Sequence, residues 1–137
     1  MAFVHGKNTV FKVDNSGGTL TDISTYVTDV SLSRSVDTAE TSTFGSTDKS
    51  YVVGLRDSSF SITGKYDAAV DSHLNGILGQ TASVSFEYGP EGSTAGSTKY
   101  TGEAYCTSFE RSSAVGDATS FTANFQVTGS VTRGTYA

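Results

Sequence analysis

Hydrophobic positions recur at a period of two in several segments of this chain, the longest of them near its C-terminal end. From Thr119 to Thr132, Phe121, Ala123, Phe125, Val127, Gly129 and Val131 alternate with Ser120, Thr122, Asn124, Gln126, Thr128 and Ser130. Successive side chains of a strand point to opposite faces, so this pattern predicts a long strand with one apolar face and one face of hydroxyls and amides. Ser59 to Tyr66 repeats it, with Phe60, Ile62, Gly64 and Tyr66 set against Ser59, Ser61, Thr63 and Lys65. In Asp29 to Val36, Val30, Leu32 and Val36 oppose Ser31, Ser33 and Ser35. Shorter strands are expected over Thr9 to Val13, closed by the turn-forming run Asp14-Asn15-Ser16-Gly17-Gly18, and over Ala82 to Tyr88 through Val84 and Phe86. Leu20, Ile23 and Tyr26 read as a short connector.

One segment changes period. Val70, Leu74, Ile77 and Leu78 fall at i, i+4, i+7 and i+8, a single apolar stripe that predicts a helix over Ala68 to Leu78. Asp67 is placed to cap its start and Gly79 to end it.

Two segments resist assignment. In Thr98 to Phe109, Tyr100, Ala104 and Cys106 compete with Tyr105, Thr107 and Phe109 for the apolar face, and a bulge near Gly102 would reconcile them. Asp37 to Asp57 shows neither period. Its Phe44, Tyr51, Val52, Val53 and Leu55 are too apolar for a free linker, so it reads as a long loop, an arm whose hydrophobic partner lies outside its own subunit. The expected architecture is one domain over residues 1–137. It is all-β, a mainly antiparallel β-sandwich or partial barrel of six or seven strands, with one short flanking α-helix.

Composition sharpens this picture. The chain has 137 residues, enough for one core without disulfide or metal. Charged residues are 17%, below the roughly 25% usual for soluble domains, which implies that neighbours cover much of the surface. The net charge of −5 and the lack of any basic run argue against ordinary nucleic-acid binding, which needs cations to neutralise phosphate. Cys106 is the only cysteine, so no internal disulfide forms and assembly in a reducing cytoplasm is expected. Met1-Ala-Phe-Val-His-Gly-Lys runs directly into a strand pattern without the layout of a secretory signal, and no apolar run approaches a membrane span.

No catalytic constellation emerges. His5 and His73 are the only histidines, and Gly92-Ser93-Thr94-Ala95-Gly96 carries Thr where a nucleophile elbow needs Ser. Cys106 has no second cysteine or nearby histidine with which to hold a metal. The Asp14 to Gly18 run lacks the spaced carboxylates of a calcium loop. No enzyme activity, cofactor or metal is expected.

At the level of motifs, Val53-Gly54-Leu55-Arg56-Asp57-Ser58-Ser59-Phe60-Ser61-Ile62-Thr63-Gly64-Lys65-Tyr66-Asp67 resembles the stretch after the long loop in major tail tube proteins of long-tailed, siphovirus-like bacteriophages. Ala39-Glu40-Thr41-Ser42-Thr43-Phe44-Gly45 is similar to the arm of that family, and Phe125 to Thr135 to its terminal strand. The resemblance implies a virion structural protein, assembled in the host cytoplasm. It implies hexameric rings whose strands join into one ring-shaped β-barrel, and stacking of those rings into a hollow tube that conducts DNA to the host. Implied partners are further copies of the chain, the tail-tip, tape-measure and terminator proteins, and double-stranded DNA that passes without specific binding; no membrane is among them.

On that reading the neutral faces become the wall of the lumen. The lumen-facing candidates are Ser31, Ser33, Ser59, Ser61, Thr63, Lys65, Thr122, Asn124, Gln126 and Thr128, with Lys65 expected to pair with an acidic neighbour such as Asp29. The inter-ring arm candidates are Glu40, Thr43, Phe44, Lys49, Tyr51 and Val53. One alternative shares the architecture: the inner tube of a contractile tail or a secretion-type injection system. Another, of a different class, is a carbohydrate-binding β-sandwich that uses Tyr88, Tyr100 and Tyr105.

Overall fold

A computed structural model describes residues 5–137; the first four residues of the expected N-terminal lead lie outside the described residues. Seven strands form one antiparallel sheet: β1 (Val10–Asp14), β2 (Leu20–Asp22), β3 (Val27–Glu40), β4 (Tyr51–Lys65), β5 (Val84–Gly89), β6 (Thr98–Ser112) and β7 (Ser120–Thr135). Their order across the sheet is β2-β1-β5-β6-β7-β4-β3. One α-helix occurs among the described residues, α1 (Ala68–Ile77), and it follows β4.

The sheet curls over on itself. Three strands separate β1 from β4, and in a flat sheet they would stand about 19 Å apart. The rings of Phe11 on β1 and Phe60 on β4 lie only 5.5 Å apart. Phe60 also stacks on Phe125 at 4.6 Å and meets Phe86 at the same distance. These four rings centre a core completed by Val13, Ile62, Val84, Ala104, Phe121 and Ala123. The connector 23–26 spans the two rims, with the Ile23 amide donating to the Phe11 carbonyl of β1 and the Tyr26 carbonyl accepting from the Lys65 amide of β4, but the rim strands β2 and β3 do not pair, so the barrel stays open.

Helix α1 closes one side of the core with Val70, Leu74 and Ile77, as the apolar stripe predicts. The Asp67 carboxylate accepts from the Ala69 amide at 2.9 Å, and Gly79 takes φ +76° just past the helix. Arg111 pairs with Asp71 on α1 and lies over the Phe109 ring, which fixes the helix against β6.

Three expectations are revised. Leu20 lies in a short strand rather than a connector, because Lys12, Val13 and Asp14 pair with Asp22, Thr21 and Leu20. The segment Asp37 to Asp57 is not a loop: 37–40 and 51–57 continue β3 and β4 as a paired ribbon, and only 41–50 turn. Its alternation was hidden by a register shift after Val36, where Gly54 and Leu55 face Asp37 alone, and by a lack of burial on either side. In β6 the reconciling bulge is at Thr107, not Gly102. Tyr100 and Ala104 are on the core side before it and Phe109 after it, so both competing sets are partly right. At Gly102 the extra residues belong to β7, where Gly129 adopts φ +83°.

Candidate functional site

The strand register brings the ten polar candidates onto one continuous face, opposite the core. Ser31 on β3 lies beside Ser61 on β4, which lies beside Asn124 on β7. Ser33, Ser59 and Gln126 form the next row, and Thr63 with Thr122 the row on the other side. Lys65 is opposite Ser120, and Thr128 is opposite Glu103 of β6. Most are exposed; Ser61, Thr63 and Thr122 are half-buried.

This face holds more charge than the three strands suggested. Strand β6 adds Ser108 beside Asn124, Glu110 beside Thr122, Tyr105 beside Gln126, and Glu103. The unresolved phase of β6 kept these residues out of the sequence reading; a bulge shifts every later side chain to the other face and leaves no mark in composition. Lys65 does not pair with Asp29, which is opposite Thr63. On this side of the sheet Asp29, Glu103 and Glu110 accompany Lys65, while Lys99, in phase with Glu103 on β6, is paired with Glu87, so carboxylates exceed lysines there. Glu103 accepts hydrogen bonds from the Ser83 and Ser85 hydroxyls, while the Asn124 amide donates to Ser108 Oγ at 2.8 Å.

Gln126 marks the end of this platform. Beyond the Ser59–Gln126 pair, β4 and β7 no longer pair, and the sheet divides into a β3–β4 ribbon and a β6–β7 ribbon. Gln126 Nε2 donates to Asp57 Oδ1 at 2.8 Å and to the Ser58 carbonyl at 2.9 Å, a clamp at the fork.

The β3–β4 ribbon carries the arm candidates. Glu40 is opposite Tyr51 and Thr38 opposite Val53, while Thr43, Phe44 and Lys49 are in the terminal turn. That turn is ordered by the Thr41 amide bonding the Ser50 carbonyl and by the Ser50 amide bonding Ser42 Oγ. Its apolar side chains have no cover: Val53 is 73% exposed, Leu55 83%, and Phe44 wholly so. Apolar groups held out this way on an ordered ribbon suit a protein partner.

The groups capable of other chemistry are engaged in the fold. His73 Nε2 donates to the Asp14 carbonyl at 3.0 Å, and burial holds its pKa below the ordinary value. His5 Nδ1 accepts from the Lys7 amide. Cys106 is buried, which pushes its thiol up to about 11. Tyr88 and Tyr100 stack 6.2 Å apart against the core and so form no open sugar platform. No group of three or more His, Cys, Asp or Glu with metal-binding geometry occurs among the described residues.

The family model for phage tail tube proteins matches residues 3–133. The chain belongs to that family. No curated protein sequence matches it. Among solved structures it is similar to a chain in the tail of an empty gene transfer agent particle with C6 symmetry, at TM-score 0.77 and 18% identity, covering 95% of this chain and 98% of that one. It is similar to the SPP1 tail tube at 0.75 and 14%, covering 97% and 80%. A chain of an extracellular contractile injection system, the PVC sheath–tube complex in its extended state, gives 0.73 and 14%, covering 97% and 92%. The fold is thus shared with these tail and injection-system chains. The carbohydrate-binding alternative has no support from these relatives.

Proposed function

We propose that the protein is the repeating subunit of a phage tail tube, in which six copies close into a ring, rings stack, and the hydroxyl- and amide-rich face lines a lumen for double-stranded DNA. The observation that carries this is β3. It is fourteen residues long, it forms one rim of the sheet, and no strand among the described residues pairs with its outer edge. An exposed edge of that length is a template for another chain. Pairing around a ring removes the edge and joins the polar faces of successive copies into one wall. The C6 symmetry of the gene transfer agent tail supports a ring of six.

The wall chemistry suits passage without capture. Serine, threonine and asparagine exchange hydrogen bonds with water, and the excess of carboxylate over lysine repels phosphate within the roughly 8 Å screening length of physiological salt. The subunit acts as a passive conduit in the virion tail, without catalysis or cofactor. Tail-tip, tape-measure and terminator proteins meet it at the ends of the tube. The exposed ribbon, with Phe44, Tyr51 and Val53, reaches the adjacent ring. The likeness to the contractile injection tube keeps a second setting open, an inner tube inside a sheath.

Negative-stain microscopy of the purified chain should show hollow rods. Single Ser61→Cys and Asn124→Cys variants should react with a bulky maleimide as subunits and be protected in rods whose ends are capped. Rods in which both sites stay as reactive as in the free subunit would overturn the lumen assignment.

A further inference from the structure

Two unsatisfied features lie far apart along the long β6–β7 ribbon. Where β4 and β7 diverge, a cleft of about 260 Å³ is lined by Arg34, Val36, Arg56 and Val131, with Ser58 and Ser130 among its other walls. Neither guanidinium forms an ion pair among the described residues. The register puts Arg34 beside Ser58 and Arg56 beside Val36, so both arginines belong to the core side of the ribbon, past the point where the core ends. The turn after β6 presents Val115 fully exposed, followed by Gly116 at φ +92° and Asp117. Asp117 bonds only through its backbone amide, to the Ala114 carbonyl. Ten residues of β7 separate Ser120 from Ser130, about 33 Å, so this turn cannot enter the cleft of its own chain.

We propose that the Val115–Asp117 turn of one copy seats in the Arg34/Arg56 cleft of a second copy in the next ring. The contact rests on the tube reading above and adds a second inter-ring contact beside the arm. The valine side chain fits between Val36 and Val131, and the aspartate meets two unpaired guanidiniums. Patch and receptor are different, well-separated surfaces, so the contact is heterologous and propagates along an axis without closing. A nucleic-acid phosphate would meet the same arginines, but the cleft has a valine floor and the chain is net acidic; an apolar-plus-acidic peptide satisfies both features.

The test is charge exchange followed by cross-linking. Asp117→Arg sets like charges against each other and should cut the yield of long rods by about tenfold or more while leaving the circular dichroism of the subunit unchanged. Adding Arg34→Glu and Arg56→Glu to the same chain should restore rods. If the wild-type chain forms no rods or rings, both the tube reading and this contact fall. If wild-type rods form and Asp117→Arg rods are equally long, only this contact falls. Independently, rods mixed from a Val115→Cys chain and a Ser130→Cys chain should give a disulfide-linked dimer under copper phenanthroline. Rods that assemble and give no such dimer overturn the contact. Duplex DNA captured by the wild-type chain but not by Arg34→Glu, with rods unchanged, assigns the cleft to phosphate instead.

Discussion

The two halves of the β3–β4 hairpin share strands, backbone and hand, yet meet opposite fates. Near the helix, Val30, Leu32, Phe60 and Ile62 pack into or against the core. Beyond Ser58 the same two strands continue for a further ribbon whose Val36, Tyr51, Val52, Val53 and Leu55 are exposed. Both halves are apolar; only one has a partner within the chain. The contrast shows that burying area and keeping apolar side chains are separate design tasks. The proximal half stabilises the subunit, and the distal half leaves its apolar groups exposed on an ordered ribbon.

The comparison can be broken most severely at Phe60. Phe60→Ala removes the ring that touches Phe11, Phe86 and Phe125, and should lower subunit stability by about 3–5 kcal/mol in urea unfolding. Gly64→Ala comes next. A Cβ there meets the Tyr26 carbonyl, which accepts the bond from the Lys65 amide, and comes within 2.8 Å of the Phe121 ring. Overpacking of this kind costs about 1–3 kcal/mol. At the fork itself, Gln126→Ala removes the amide bonds to Asp57 and Ser58, a loss of about 1 kcal/mol, and hydrogen exchange should speed up in residues 51–58 while the core strands stay protected.

A smaller effect is expected from His73. Its folded pKa is held below the ordinary value by burial, so the unfolded chain binds the proton first as pH falls. Stability from this site is full above about pH 6.5 and declines as pH drops below it toward the folded pKa. His73→Gln should flatten that part of the stability–pH curve. The smallest effect on the subunit, within about 0.5 kcal/mol, belongs to Val53→Ser, which exchanges one exposed group for another. Rods should nevertheless shorten or vanish. A Val53→Ser subunit as unstable as Phe60→Ala would erase the distinction between the two halves.

Read alone, the sequence determined whatever a period can encode. Alternation in β4 and β7 set which side chains face the core, and the i, i+4, i+7 stripe set the buried face of α1, because burial on one side forces a repeat. The same alternation gathered Ser31, Ser61 and Asn124 into one class before their adjacency was known. The tertiary structure decided what no period records. The bulge at Thr107 inverted the faces of β6 and so brought Ser108 and Glu110 to the polar wall. Pairing turned residues 37–40 and 51–57 from apparent loop into ribbon, since a ribbon exposed on both sides needs no alternation. The fork at Gln126 opened the Arg34/Arg56 cleft from strands that run on beyond their mutual pairing. Local pattern follows from burial, whereas register, divergence and free edges depend on which strands meet, and that is a property of the folded chain.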